Sequence, residues 1–574
     1  MSVTSRLLLI GCLGGVVILV AAIALHMSKT PSNVHYHTFN IEVSTVKRLC
    51  KEKNIVTVNG QLPGPTLHVR NGDTLVVKVN NRAPYNATIH WHGVRQIRTG
   101  WSDGPEYITQ CPIQPGGSYT YRFSIDDKEG TLWWHAHVSW LRATVHGALV
   151  IYPKKDTSYP FAEPKGEATI ILGEWWNSNP IDVVNEAILS GAGPNVSDAF
   201  TINGQPGDLY PCSNLDTFRL PVMLGETYLL RIVNAALNTQ LFFKIAEHDF
   251  IVVAADACYT KPYSTNVLVI APGQTTDILL TTNAEVGRYY MTATPYSSSD
   301  LVNFDTSETA AILEYQNTSP TLQSPIFPDL PLPNDTSVAK SFRTSLRSLD
   351  STLYPTDVPL RIHEDVISTV GLGLNPCPLG QTCQGPNGQR FTASMNNISF
   401  VMPTVSILEA YYSGINGVFT TDFPDSPPIS FDYTAQNIPA SLWTPVPGTK
   451  VKVIEFNSNV QWVFQGTNIV AGEDHPMHLH GYDFYVVGEG SGNYDPLLDP
   501  VDFNLVDPPK RNTVIVPVNG WTAIRFKADN PGAWLLHCHL DVHLSWGLKT
   551  VLLVTNGNGV LDALETPPQD FPVC

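Results

Sequence analysis

The sequence predicts an all-β protein built from three consecutive β-sandwich domains, and three observations carry that reading. Alternating apolar and polar runs recur along the chain, whereas sustained helical periodicity is scarce. Glycine (41) and proline (45) are abundant and charged residues make up only 15%, a composition suited to many short strands and tight turns. A strand template also recurs: GGSYTYRFSIDDKEGTLWWHAH from Gly116, GQTTDILLTTNAEVGRYYMTAT from Gly273 and GWTAIRFKADNPGAWLLHCH from Gly520. A second glycine (Gly130, Gly287, Gly532) precedes the closing strand of each copy. The fifth and seventh residues after it are His135 and His137, Thr292 and Thr294, then His537 and His539. Any sandwich supplies alternation, but the aligned glycines and paired positions favour a repeat, with the same sheet edge met three times.

A chain of 574 residues is too long for one core. Residues 1–25 read as a secretory signal peptide: Arg6 precedes an apolar stretch over 7–25, with small-residue cleavage candidates near Ala22 and Ala24. That stretch is longer than the usual signal core, so an uncleaved membrane anchor is the alternative. The first sandwich is expected over 34–153, with strands such as TLVVKVNN from Thr74. The second spans 160–315, with TYLLRIV from Thr227 and NVLVIA from Asn266, and its copy of the template carries threonines where the others carry histidines. A Pro- and Ser-rich connector over 316–400 accounts for the longer interval before the last copy. The third sandwich occupies 401–574.

The formal charge is -17 and no basic run exists, which argues against nucleic-acid and anionic-membrane partners. A neutral or cationic small substrate fits more easily. Five sequons, at Asn86, Asn195, Asn317, Asn334 and Asn397, favour a secreted glycoprotein. Of nine cysteines, Cys12 lies in the signal and Cys538 in a histidine motif. Seven remain, so at least one thiol stays unpaired. Cys377 and Cys383, close together in a Gly- and Pro-rich loop, predict a local disulfide; spacing does not fix the other pairings.

Ten of the 17 histidines fall in four short groups: HWHG (His90, His92), HAH (His135, His137), HPMHLHG (His475, His478, His480) and HCHLDVH (His537, His539, His543, with Cys538). Alternation along a strand points His90 and His92 to one face, and likewise His135 with His137 and His537 with His539. Cys538 must point to the opposite face, where one thiolate joined by histidines makes a soft site suited to electron-transfer copper. The thiolate and its neighbours therefore belong to different metal centres, roughly 10 Å apart. Eight further imidazoles, drawn from the first and third sandwiches, suffice for three metals and leave room for O2. Such a cluster must lie at the interface of those two domains, with the middle domain as a spacer.

These four groups, in this order, resemble the signature of multicopper oxidases, and NGQLPGPTL, HWHGVRQIRTGWSDGP, ITQCPIQPG and QGPNG resemble plant laccases. The resemblance implies cupredoxin-like Greek-key domains and four copper ions. It makes His475, Cys538 and His543 the type 1 ligands, with Leu548 in the axial position, where a noncoordinating side chain favours Cu(I) and raises the potential. His90 and His478 would hold the type 2 ion; His92, His135 and His539 one type 3 ion; His137, His480 and His537 the other. The implied activity is that of a secreted laccase of the apoplast or cell wall, acting as a monomer. It would oxidise phenols such as monolignols and lignin-derived phenols by one electron each and reduce O2 to water. His543 is the expected electron entrance, Asp103 a carboxylate near the three-copper cluster, and Asp541 a group orienting an imidazole; for Asp103 a plain turn role before Gly104 competes. The chain departs from the family at Asn238–Gln240, where an acid that accepts the phenolic proton is common and here none is present. The alternatives are a flavonoid or ascorbate oxidase, a ferroxidase, which would need carboxylates beside His543, and a non-catalytic cell-wall protein, which should have lost ligands.

The other histidines (His26, His35, His37, His68, His146, His248, His363) read as surface or core residues. Trp133, Trp134, Trp140, Trp175 and Trp176 read as core. Phe242, Phe243, Trp462 and Phe464 suit either a pocket lining or the core.

Overall fold

In a computed structural model of the chain, the described residues are 33–213, 215, 217–299, 301–316 and 324–574. The stretch 7–25, His26, Cys12 and Asn317 lie outside them. Strand makes up 41% and helix 10%, so the all-β expectation holds. Among the described residues no helix is long and apolar enough to cross a membrane.

Six sheets stack in pairs. Near the N-terminus a four-stranded sheet that includes Thr74–Asn81 and Ser118–Ser124 faces a second four-stranded sheet, which orders Leu67–Arg70, His146–Tyr152, Gly130–Ala136 and Ile89–His92. Next come sheets of six and five strands, then sheets of eight and five. Each pair closes over its own apolar core, as inward-facing residues of alternating strands require. Leu75, Val77, Trp91 and Trp134 belong to the first core, Phe242, Phe243 and Ile278 to the second, and Trp462, Phe464 and Trp534 to the third. The four aromatics left open between pocket and core are therefore core residues.

The repeated template acquires a structural meaning. In each copy the two strands lie in opposite sheets of one sandwich: Ser118–Ser124 and Gly130–Ala136, Thr275–Thr281 and Arg288–Tyr296, Gly520–Lys527 and Gly532–Cys538. The template is the crossing between layers. One expectation is corrected here, because the closing strand is internal to its sheet in all three copies rather than at an edge. Internal strands are paired on both sides and hold side-chain positions rigidly.

The connector expectation also needs correction. Glu364–Asn375 pairs in parallel with Asn459–Gly466 and antiparallel with Arg390–Met395, so the third sandwich begins near residue 364 rather than 401. Proline and serine bias masked strands whose apolar residues alternate. Earlier in the same stretch, helix Thr336–Ser345 docks Ala339 and Phe342 on the second core.

Disulfides join Cys50 to Cys212, Cys111 to Cys574 and Cys377 to Cys383. The last is the local pair expected; the first two tie the N-terminal sandwich to the middle domain and to the chain's C-terminus. Cys258 and Cys538 remain thiols.

Candidate metal centre and its surroundings

Strand register assembles the site. Ile89–His92 pairs antiparallel with Gly130–Ala136, setting His90 opposite His135. In the third domain, His475–Leu479 pairs with Gly532–Cys538, setting His478 opposite His537 and Met477 opposite Cys538. The two sheets meet, and all ten grouped histidines come together there in two clusters.

The smaller cluster contains Cys538, whose sulfur lies 3.5 Å from His543 Nδ1 and 3.9 Å from His475 Nδ1; the two nitrogens are 3.3 Å apart. All three residues are buried, and Leu548 is fully buried in the same core. Alternation sends Cys538 into its own domain while His537 and His539 face the first. His543 sits on the short helix Asp541–Ser545, whose start is held by the middle domain: Val542 N donates to Asn238 Oδ1 and Asp541 N to Leu237 O.

The larger cluster holds the other eight. Sets of nitrogens close enough to share one ion are His90 with His478 and His480, His90 with His92 and His135, and His137 with His480 and His537. The third matches a set implied by the resemblance. The second has His90 where His539 was expected, because the rings pack directly on one another; His92 and His478 stack at 3.8 Å. His539 instead places Nε2 3.2 Å from His92 Nδ1.

Hydrogen bonds fix which lone pairs are open. Nδ1–H donates to a carbonyl in His90 (Asp103 O), His478 (Asn512 O), His135 (Ala136 O) and His537 (Cys538 O), and to Asp103 Oδ2 in His480. Each of these rings therefore aims an unprotonated Nε2 inward. The Nε2 atoms of His90, His135 and His478 are buried with no hydrogen-bond partner, while those of His480 and His537 face each other at 3.2 Å. His92 donates through Nε2 to Asn512 Oδ1, leaving Nδ1 open. His539 differs, since Arg142 Nη1 donates to its Nδ1. Burial, reinforced by neighbouring histidines and Arg142, pushes the pKa values of His92, His135, His137, His478, His480, His537 and His539 well below normal. These are neutral imidazoles, with the Nδ1 lone pair of His539 taken by Arg142, and together with the His2Cys set they fit copper.

Asp103 lies at the cluster and also precedes the glycine turn. Its backbone oxygen accepts from His90 Nδ1 at 2.7 Å and its Oδ2 from His480 Nδ1 at 2.9 Å, so the residue contacts two ligand candidates. The following residue, Gly104, has φ +107°, and a Cβ there would lie 2.0 Å from Ile89 O; only glycine allows the turn. Asp541 departs from expectation. Its partner is Arg142, at 3.2 Å, and it reaches His539 only through that guanidinium, because the helix start turns the carboxylate away from the rings. Burial raises Asp541 to about 6 against the pull of Arg142.

Several residues at the site carried no sequence signal. Arg142 is buried and also donates to the carbonyls of Ala236, Leu237 and His539. Asp256, from the middle domain, accepts from Arg511 Nε and Nη2 and from the backbone of Thr275, Asn512 and Thr513. It thereby fixes the loop that holds His92 and His478. Gly273 (φ +92°) lets the middle domain close on the cluster, since a Cβ there would meet the His539 ring at 2.9 Å. The middle domain is thus a wall of the site as well as a spacer. Trp133, expected in the core, is buried but packs on His135 at 4.3 Å and His92 at 5.3 Å.

A cavity of about 540 Å³ opens over His543. It is lined by Asn238 and Gln240, by Trp176, Phe391, Trp443 and Trp546, and by four carboxylates. Glu473 Oε1 lies 3.2 Å from His543 Nε2. Burial would lower His543, but Glu473 and the Cys538 sulfur outweigh it and push the pKa to about 10. Glu174 accepts from Leu237 N, Asn238 N and Thr239 Oγ1. Acids therefore stand where the stretch Asn238–Gln240 has none. Glu473, two residues before His475, was visible in the motif's flank; Glu174 comes from a distant strand and was not.

Comparison with known proteins agrees with this architecture. Three family models, each described as multicopper oxidase, match residues 40–156, 166–318 and 422–558. The chain belongs to the multicopper oxidase family. Within it, Laccase-12 of Arabidopsis thaliana is 58% identical over 547 residues, covering 95% of this chain and 96% of that protein. Laccase-3 of Oryza sativa subsp. japonica is 58% identical over 549 residues, covering 95% and 96%. Full-length likeness of this order makes the chain an oxidoreductase of the plant laccase type. Among solved structures, the laccase from Botrytis aclada superimposes with a TM-score of 0.71 at 25% identity, over 94% of this chain and 90% of that one. Fet3p, a multicopper oxidase that functions in iron import, shares the fold at 22% identity and a TM-score of 0.72, over 91% and 90%.

Proposed function

We propose that the chain is exported to the plant cell wall as a monomeric glycoprotein, binds four copper ions, and oxidises phenols of the monolignol and lignin-derived class. His475, Cys538 and His543 would hold one ion, with Leu548 buried in the same core. His90 and His478 hold the second; His92, His135 and His539, and His137, His480 and His537, hold the remaining two. When bound, copper supplies one-electron acceptance from the phenol and four-electron reduction of O2 to two waters. The observation that carries this reading is the placement of Cys538, whose sulfur contacts His475 and His543 while its chain neighbours His537 and His539 lie in the other cluster.

The protein's own groups divide the remaining work. The cavity seats the ring over His543, whose imidazole edge forms its floor. Glu473, beside His543 Nε2, accepts the phenolic proton that an acid at Asn238–Gln240 would take in relatives. Asp103 fixes the Nδ1 protons of His90, through its backbone oxygen, and of His480, through its carboxylate, keeping their Nε2 atoms free. Arg142 and Asp541 hold His539 and line a second cavity, of about 220 Å³, that reaches His135 and His137.

Glu473 beside His543, with Asp474 in the same cavity, supplies carboxylates of the kind a ferroxidase needs, and this favours Fe(II) as the second candidate substrate. Aromatic walls and a cavity of organic-molecule size favour phenols. The test is to count copper in the purified protein and compare oxygen uptake with a monolignol, ascorbate and Fe(II). Four ions per chain and preferential uptake with the monolignol support the reading; preference for Fe(II) or ascorbate overturns it.

A further inference from the structure

The cavity over His543 carries more information than its size. Glu174, Asp305, Glu473 and Asp474 all line it, and among the described residues no lysine or arginine does. Charge compensation is uneven. Asp474 faces Arg343 at 3.6 Å from behind, but that guanidinium is shared with Glu489. Among the described residues the hydrogen-bond donors to Asp305 are neutral, Ser197 Oγ and Ser307 N. Glu473 Oε1 faces the His543 imidazole, 3.2 Å from its Nε2, and Glu174, held by Leu237 N, Asn238 N and Thr239 Oγ1, is raised by burial to about 7 and is largely neutral. The same cavity has aromatic lining: Phe391 and Trp546 stack at 4.7 Å, and Trp443 and Trp176 also line it. Carboxylates and aromatic faces in one enclosed site are the combination that attracts ammonium groups and repels anions.

Resting on the phenol-oxidase reading above, we propose that this pocket selects phenols with a cationic side chain, accepts neutral ones, and discriminates against those bearing a carboxylate. A carboxylated phenol must bring its charge toward Asp305, which only neutral donors hold, and toward Asp474, whose guanidinium partner is shared. One such unscreened contact costs about tenfold or more in kcat/KM at the effective dielectric of a protein site. An ammonium group gains from the same field and from the ring faces.

The test uses homovanillate, homovanillyl alcohol and 3-methoxytyramine, which share one phenolic ring and differ beyond a saturated carbon. At about pH 6 they are anionic, neutral and cationic. With the copper-loaded enzyme at low ionic strength, the expected order of kcat/KM is amine, alcohol, acid, with the acid at least about tenfold below the alcohol. Asp305→Asn, whose Oδ1 still accepts from Ser307 N and whose Nδ2 donates to the Ser197 hydroxyl, should narrow that gap. Calorimetry with the corresponding 3,4-dimethoxy compounds, which lack the oxidisable hydroxyl, should give the same order of affinity. Equal kcat/KM for acid and alcohol, or tighter binding of the dimethoxy acid, overturns the selectivity while leaving the oxidase reading intact. Failure to oxidise any of the three overturns both.

Discussion

Replacing Asp256 with alanine perturbs the copper-binding region without touching a proposed ligand. Asp256 is buried and accepts from Arg511 Nε and Nη2 at 3.0 Å each, Thr275 N at 3.0 Å, Asn512 N at 3.2 Å and Thr513 N at 3.3 Å. Truncation strands the Arg511 guanidinium, itself buried, and orphans three backbone donors. Removing one partner of a buried ion pair costs about 3–5 kcal/mol, and part of the orphaned backbone adds to it. The loop also positions Asn512, which binds His92 through its side chain and His478 through its carbonyl. Loss of stability should therefore come with loss of copper from the histidine cluster, while the Cys538 centre, whose His475 pairs with Val516 at the far end of the adjoining strand, keeps its blue colour. Denaturant unfolding of the metal-free protein, with copper counting and absorption spectroscopy on the loaded one, reads both effects. A loss below about 1 kcal/mol with full copper retention would refute the reasoning.

Other perturbations isolate single groups. Cys538→Ser should abolish the blue absorption and phenol turnover together; survival of either in a copper-loaded sample contradicts its role. Glu473→Gln should lower kcat/KM for phenols by about 100-fold, the scale of a lost general base, and spare an electron donor with no proton to lose, such as ferrocyanide. Equal losses with both donors would show that Glu473 only supports His543. Burial raises Glu174 to about 7 despite its three donors, so the folded state favours the neutral carboxyl. Its contribution is complete below about pH 4.5 and is lost as pH rises to about 7, on the order of 3 kcal/mol in all. Glu174→Gln, an isostere that preserves the contacts to Leu237, Asn238 and Thr239, should flatten the stability profile across that window. Parallel wild-type and variant profiles would sink the assignment.

The parts of this molecule that sequence revealed are those governed by local period. Alternation within HWHG, HAH and HCH fixes which side chains share a face, and the repeated glycines mark the layer crossings, so the three sandwiches and the ten histidines were legible. The long connector was misread because proline and serine bias hides strand Glu364–Asn375, whose partners lie on either side in sequence. Arg142, Asp256 and Glu174 were invisible for a deeper reason. Each is a single polar residue in an ordinary strand or loop, and its role arises from contacts with chain tens to hundreds of residues away. Asp541 shows the converse: its position beside the ligand motif suggested an imidazole partner, yet the helix start turns it toward Arg142.

Anomalous X-ray scattering at the copper edge, on crystals of the copper-loaded protein, tests the central claim most directly. One peak should lie among His475 Nδ1, Cys538 Sγ and His543 Nδ1, and three more among the eight remaining histidines. A missing peak at Cys538, or fewer than three within the histidine cluster of a fully loaded sample, would contradict it.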